Sequence, residues 1–74
     1  MSKLPSITAR DLVQVLQKKG FILDWVKGSH HIYYNSERNK RTIVPFHKKD
    51  LPKGTLFEIL KQADISKEEF KEML

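Results

Sequence analysis

The sequence predicts an α+β fold, in which helices pack on one face of a three-stranded antiparallel sheet. Apolar residues at helical spacing occur near both ends of the chain, and three short runs rich in β-branched and aromatic residues lie between them. The connections between these runs are short, which favours an antiparallel meander. The predicted order is α-β-β-β-α with a further short helix at the C-terminus. The simplest packing of these elements is a two-layer domain.

The first helix is predicted over about residues 8–19. Thr8 followed by Asp11 has the spacing of a capping box, in which each residue binds the backbone of the other. The apolar residues that follow recur at helical spacing and form one stripe. Gly20 is predicted to end the helix, because glycine readily adopts the left-handed conformation found just after helix C-termini.

The strands are predicted at residues 21–26, 30–34 and 42–44, and polar turns at 27–29 and 35–40 join them. Each run is dominated by aromatic and branched side chains, which suit a pleated and partly buried surface. We expect one face of this sheet to be covered by the helices and the other face to lie open to solvent.

A basic loop over residues 47–53 leads into the C-terminal helices. Thr55 and Glu58 have the spacing of a second capping box, and Ser66 and Glu69 have the spacing of a third. Apolar residues follow each predicted box and would contribute to the core. We therefore predict one helix that begins near Thr55 and a short terminal helix that begins near Ser66.

The chain has 74 residues, 39% hydrophobic and 31% charged, which predicts a single folded domain over residues 1–74. Residues 1–6 are expected to be flexible. The absence of cysteine excludes a disulfide framework and favours a reducing compartment. No apolar stretch approaches the roughly 20 residues that cross a bilayer, and the first residues lack a signal-peptide core. These features predict a cytoplasmic protein with no membrane association.

The net charge of +5 is concentrated in the middle of the chain. Residues 27–53 have a balance of +5, whereas residues 1–26 have +2 and residues 54–74 have −2. The three histidines also lie in the middle block. Such a local positive field raises affinity for phosphate and speeds association with nucleic acid. The alternative, that these lysines merely solvate a surface, stays open at this point.

The segment at residues 28–31, Gly-Ser-His-His, places two imidazoles at the start of the second predicted strand. Histidine can both accept and donate a proton near neutral pH. Side chains alternate between the faces of a strand, so His30 and His31 must lie on opposite faces. Ile32 suits the buried face, which would leave His31 exposed, whereas His30 lies at the first position, where a strand end can tilt outward. Periodicity alone leaves the choice open.

RNA cleavage by a neighbouring 2′-hydroxyl group needs a base, an acid and cations near the phosphate. Histidine can act as base or acid, and lysines such as Lys27, Lys48 and Lys49 can stabilise charge on the phosphorane. Gly28 would let a phosphate approach the backbone, and Ser29 adds a hydrogen-bond donor. A Gly-Ser-His string is weakly specific by itself, because a structural histidine at the surface gives the same pattern.

No metal or other cofactor is predicted. The three histidines, at positions 30, 31 and 47, have no cysteine partners and no helical i, i+4 spacing. The glycines are too scattered to form a phosphate-binding loop. The aromatic residues of the strands could stack on bases, although packing in the sheet is their more usual role.

Three segments together resemble the HicA toxin family. They are Gly-Ser-His-His-Ile-Tyr at residues 28–33, Thr-Ile-Val-Pro-x-His at 42–47, and Leu-Pro-x-Gly-Thr-Leu-x-x-Ile-Leu-Lys-Gln-Ala-x-Ile-Ser at 51–66. The resemblance extends from about residue 8 to the C-terminus. It implies a fold like that of double-stranded-RNA-binding domains and an endoribonuclease that cleaves mRNA without metal. It also implies growth arrest by the free toxin and neutralisation by a HicB-type antitoxin.

The catalytic histidine of the family follows Gly-Ser, which implies that His30 is catalytic here and that Gly28 and Ser29 support the active site. Among the alternatives, a non-catalytic RNA-binding module could share the fold and the basic surface. A purely protein-binding domain with an acidic partner is a third reading. The residues that we expect to bind the RNA backbone are Lys27, His47, Lys48, Lys49 and Lys53.

Overall fold

The computed structural model describes residues 6–47 and 49–74, so that the expectation for residues 1–5 lies outside the described residues. Within this part of the chain the elements are α1 (Ala9–Lys18), β1 (Ile22–Lys27), β2 (His30–Asn35), β3 (Lys40–Pro45), α2 (Lys53–Ala63) and α3 (Lys67–Met73). The strands form one antiparallel sheet in the order β1-β2-β3. The predicted α+β class and element order are confirmed.

The starts of α1 and α2 are stabilised differently. At α1 the predicted capping box is confirmed, because the Asp11 backbone N–H donates to the Thr8 hydroxyl (3.1 Å) and the Thr8 N–H donates to the Asp11 carboxylate (3.1 Å). The box predicted at Thr55 is wrong, since α2 begins two residues earlier at Lys53. Pro52 occupies the cap position there and offers no side-chain hydrogen bond.

The C-terminal end of α1 is closed by the predicted glycine. Gly20 adopts a φ of +94°, and its N–H donates to the carbonyl of Gln17 (3.0 Å). The N–H of Phe21 donates to the carbonyl of Leu16 (2.9 Å), which completes a Schellman motif. Phe21 was predicted to open the first strand, but its ring is buried in the core as part of this cap. The strand therefore begins at Ile22.

At α3 the Ser66 hydroxyl accepts a hydrogen bond from the Glu69 backbone N–H (3.1 Å), which confirms the hydroxyl half of the third predicted capping box. The Glu69 carboxylate pairs with the ammonium group of Lys19 at the end of α1. The hydrogen bond from Lys19 holds the pKa of Glu69 below its ordinary value, although desolvation acts in the opposite direction. This pair ties α3 to α1.

Replacing Glu69 with glutamine is expected to lower stability at neutral pH and to reduce the loss of stability in acid. A carboxyl whose pKa is lowered by folding stabilises the native state above its unfolded pKa, here 4.5, and that stabilisation is lost as the pH falls through the folded pKa. Urea unfolding from about pH 3 to about pH 7, a range that extends to both sides of the unfolded pKa, measures both effects. Glu72→Gln on the same helix is the control, and an identical pH profile for the two variants would contradict the expectation.

The main hydrophobic core lies between the helices and one face of the sheet. Tyr33 of β2 and Val44 of β3 contribute to it from adjacent strands. His31 shares this face by strand alternation, and its half-buried ring stacks on Phe46 with 3.8 Å between the ring centroids. The arrangement favoured by the apolar character of Ile32, with His31 and Tyr33 exposed, is therefore wrong.

Ile32 is buried as well, but from the opposite face, which we call the outer face of the sheet. It lies between its cross-strand neighbours Trp25 and Ile43 and is not part of the main core cluster. A small second apolar cluster therefore covers the middle of the outer face. This explains why hydrophobicity alone assigned Ile32 to the wrong face.

All six residues of β1 are exposed, in contrast to β2 and β3. The helices α1 and α2 pack against β3, on the side of the sheet away from β1. The helices cover one face of the sheet as expected, but this cover does not extend to β1, whose residues are all exposed. This strand extends the sheet beyond the core and leaves an uncovered edge.

Candidate active site

The turn between β1 and β2 positions the residues of the Gly-Ser-His segment. Lys27 pairs with His30 across a two-residue turn, and Gly28 has a φ of +59° at its first position. Such turns require a positive φ that glycine adopts without strain. The carbonyl of Ser29 accepts a hydrogen bond of 2.7 Å from the backbone N–H of Phe46. The turn is therefore held against the segment that follows β3.

Replacing Gly28 with alanine is expected to lower the free energy of unfolding by about 1–2 kcal/mol, the cost of a left-handed L-residue. An added Cβ would meet no atom within 4 Å, so backbone strain is the whole effect. Gly54→Ala is the matched control, since Gly54 is helical and also faces open space. It should be neutral or stabilising by up to about 1 kcal/mol. Equal changes in urea unfolding would contradict this account.

His30 is exposed and lies on the outer face, away from the main core. It lines a groove of about 410 Å³ between the sheet and α2, which we call the His30 groove. The sheet forms one wall and the helix forms the other, so a bound chain would touch both elements. Its lining includes His30, Ile43 and Pro45 from the sheet and Thr55, Glu58 and Gln62 from α2.

The polar wall contributed by α2 was not predicted from the sequence. Thr55, Glu58 and Gln62 recur at i, i+3 and i+7, which places them on one face of the helix. The Oε1 atom of Gln62 accepts a hydrogen bond of 2.8 Å from the buried Thr42 hydroxyl, which fixes the helix to β3. Their helical spacing could have shown that these three residues share a face. It could not show that this face lies opposite His30, which is 25 or more residues away in sequence.

Two of the predicted RNA-binding lysines lie near His30. Lys27 is its cross-strand partner, and directly paired residues in antiparallel strands project from the same face. Lys53 immediately precedes Gly54, which lines the His30 groove. Both lysines are exposed, so the groove has a cationic residue near each wall.

The remaining predicted contacts are not gathered at the His30 groove. His47 lines a separate cavity of about 670 Å³ that includes Arg10, at the start of α1. Lys49 is exposed, and Lys48 lies outside the described residues. The loop after β3 therefore directs its histidine away from His30, which the sequence pattern could not indicate.

The three histidines occupy different surroundings: one in the groove, one stacked on Phe46 and one beside α1. Among residues 6–47 and 49–74, no three His, Cys, Asp or Glu side chains are grouped so as to hold a metal ion. The helices of the described part are also too short or too polar to cross a membrane. The open groove beside His30 is therefore the candidate active site.

These features define a small basic α+β protein that presents an exposed histidine beside a groove. Its sequence matches, over residues 9–65, the family described as HicA toxin of bacterial toxin–antitoxin. The match covers more than half of the chain and spans α1 to α2, so the chain belongs to the HicA toxin family and is the toxin of a toxin–antitoxin pair. No curated protein matches the sequence.

Proposed function

We propose that this toxin is an endoribonuclease that cleaves mRNA in the cytoplasm without a metal ion, and that His30 is its general acid or base. The observation that carries the proposal is the exposed imidazole of His30 in an open groove. This histidine belongs to the chain segment with a charge balance of +5, which suits a polyanionic substrate. Membership of a toxin family supports the proposal, because cleavage of mRNA would stop protein synthesis.

The proposed reaction is a transesterification within the RNA chain. A base removes the proton of a 2′-hydroxyl group, whose oxygen attacks the adjacent phosphorus, while the bond from phosphorus to the 5′-oxygen breaks. An acid protonates that leaving oxygen, and the products end in a 2′,3′-cyclic phosphate and a 5′-hydroxyl group. A histidine in either role contributes about 10²–10⁴-fold to the rate.

The neighbours of His30 fit supporting roles. Gly28 has no Cβ and is exposed at the turn, so a phosphate can approach the backbone there. Ser29 lies beside it, and we assign both residues to shaping the active site. Lys27 and Lys53 lie near the two walls of the groove and would bind the RNA backbone on either side of the cleaved bond.

The proposed contacts of the loop after β3 lie farther along the RNA. His47 lines a different cavity from His30, so we assign it a contact with a part of the RNA outside the His30 groove. Lys49 is exposed and suits a phosphate contact, and the same role for Lys48 rests on its place in the basic sequence block. A HicB-type antitoxin is the proposed protein that neutralises the toxin.

The test of the proposed function is RNA cleavage by the purified chain in excess EDTA. Cleavage that persists and leaves cyclic phosphate ends supports the proposed mechanism. Cleavage that stops in EDTA and returns with a divalent cation would assign the chemistry to a metal. Binding of RNA without cleavage under any condition would favour the non-catalytic RNA-binding module instead.

Replacing Lys53 with alanine is expected to weaken RNA binding and to lower its salt dependence. Each phosphate contact contributes about 0.7 to the slope of log K against log salt for a single strand. Lys67→Ala is the control, because Lys67 is exposed on α3 and neither it nor its neighbours in sequence line the groove. Fluorescence anisotropy over a salt series measures both slopes. A drop in slope for Lys67 as large as that for Lys53 would place the RNA elsewhere.

A further inference from the structure

The edge strand β1 exposes an unusual amount of apolar surface. The exposed fractions are 66% for Ile22, 47% for Leu23, 49% for Trp25 and 47% for Val26. Scattered surface hydrophobics are ordinary, but here four of them fall within five residues of one short strand. We call these four residues the β1 strip.

The β1 strip lies on a free edge of the sheet. The sheet order places β2 on one side of β1, and the described residues supply no strand on its other side. Free edges are usually blocked by charges, proline, bulges or a covering element, because their backbone groups readily pair with another chain. Here Lys27 ends the strand, and a β-bulge lies between Leu23 and Trp25, where Asp24 forms an ion pair with Arg41 (3.4 Å). The apolar residues on either side of the bulge lie on an edge that is open to strand addition.

The side chains of the strip project to both faces of the sheet. Across the bulge, Ile22 and Trp25 pair with outer-face residues of β2, whereas Leu23 and Val26 pair with residues of its core face. A helix or loop lying on one face would leave the residues of the other face uncovered. A strand added at the edge places its own side chains beside both rows and pairs with the free backbone groups. The exposure of both faces thus favours strand addition over docking on a face.

We propose that β1 is the docking edge for an extended, acidic segment of the antitoxin, which adds a fourth strand to the sheet. A protein partner is established by membership of a toxin–antitoxin family. The positive charge of the sheet favours an acidic partner segment, because residues 22–45 contain four basic and two acidic residues. A second copy of this chain, with its own net charge of +5, would be repelled.

The docking edge is continuous with the His30 groove. Trp25 and Ile32 line a cavity of about 510 Å³ on the outer face, and two of its other lining residues, Ile43 and Gln62, also line the groove. A fourth strand would lie about 10 Å from β2, so its longer side chains would extend over Trp25 towards this cavity. The consequence that docking blocks RNA cleavage rests on the proposed function, whereas the docking itself does not.

The test uses the full chain and the protein encoded by the reading frame next to its gene. Amide hydrogen exchange in the complex is expected to slow across Ile22–Lys27 relative to the free chain. Leu23→Asp is expected to weaken binding by about tenfold or more, because apolar contact is lost and a negative charge enters the edge opposite an acidic segment. Leu74→Asp is the matched control, since Leu74 is 52% exposed at the C-terminus, and should change affinity less than about twofold.

Four outcomes would overturn the proposal. They are the absence of binding, unchanged exchange across β1 in the complex, equal effects of the two aspartate variants, and a dimer of the chain alone that Leu23→Asp dissociates. If Trp25→Ala weakened RNA binding and left the protein complex intact, the strip would be an RNA surface instead. Because these measurements record binding, their failure is distinct from failure of the nuclease proposal.

Discussion

Expression of the wild-type chain without its antitoxin is expected to arrest growth, and replacing His30 with alanine is expected to abolish that arrest. The substitution removes the proposed proton-transfer group, which lowers the rate of cleavage by about 10²–10⁴-fold. At such rates the mRNA pool is replaced by synthesis faster than it is cut. Growth curves after induction, with protein level checked by immunoblot, measure the effect.

The stability of the His30 variant provides the control. His30 is exposed at the groove, so its replacement should change the free energy of unfolding by less than about 0.5 kcal/mol. His31→Ala is a contrasting variant, because it removes the ring that stacks on Phe46 and should act through stability. Full growth arrest by a well-expressed His30→Ala chain would contradict the assignment of the active site.

Replacing Phe70 with alanine is expected to lower the free energy of unfolding by about 3–5 kcal/mol. Phe70 is fully buried and is the contribution of α3 to the main core. A domain of this size has a total stability of roughly 4–11 kcal/mol, so the loss is a large fraction of the whole. The melting temperature should fall by about 10 °C or more, as measured by calorimetry.

Leu74 serves as the control for this prediction, since it follows the same helix and is half exposed. Leu74→Ala should change stability by less than about 0.5 kcal/mol. A Phe70→Ala chain as stable as this control would show that α3 is not part of the folded core. The ion pair between Lys19 and Glu69 would then be the main attachment of α3.

Local sequence signals predicted the fold where the stabilising groups are close in sequence. The Thr8–Asp11 capping box and the left-handed Gly20 each depend on hydrogen bonds within about five residues, and both are present. The hydroxyl cap at Ser66 is of the same kind. The order of helices and strands followed from such signals together with hydrophobic periodicity.

The failures occur where tertiary contacts decide. Thr55 has the residue type of a cap, but α2 starts earlier and uses Thr55 in the groove wall. Phe21 has strong strand propensity, yet its ring completes the cap of α1. Ile32 was matched to the helix-covered face by its hydrophobicity, whereas Trp25 and Ile43 bury it from the outer face. Each case depends on residues distant in sequence.

In the candidate site, too, local features were predicted from the sequence and features that depend on tertiary contacts were not. The Gly-Ser-His segment was found from the sequence because its glycine turn and its histidine are adjacent. The facing stripe on α2, which includes Glu58 and Gln62, requires knowledge of how the helix crosses the sheet edge. The separation of His47 from His30 likewise follows from the path of the loop after β3. Both histidines belong to the same basic block of the sequence, which does not indicate that their side chains line different cavities.

The most direct test of the central claim is the single-turnover rate of RNA cleavage by the wild-type chain and by His30→Ala in excess EDTA. Both proteins should be saturated with RNA, so that the rate reports the chemical step and not the affinity. The account predicts cleavage by the wild-type chain and a rate about 10²–10⁴-fold lower for the variant, with RNA binding retained. Equal rates for the two proteins would contradict the assignment of His30 as the catalytic group.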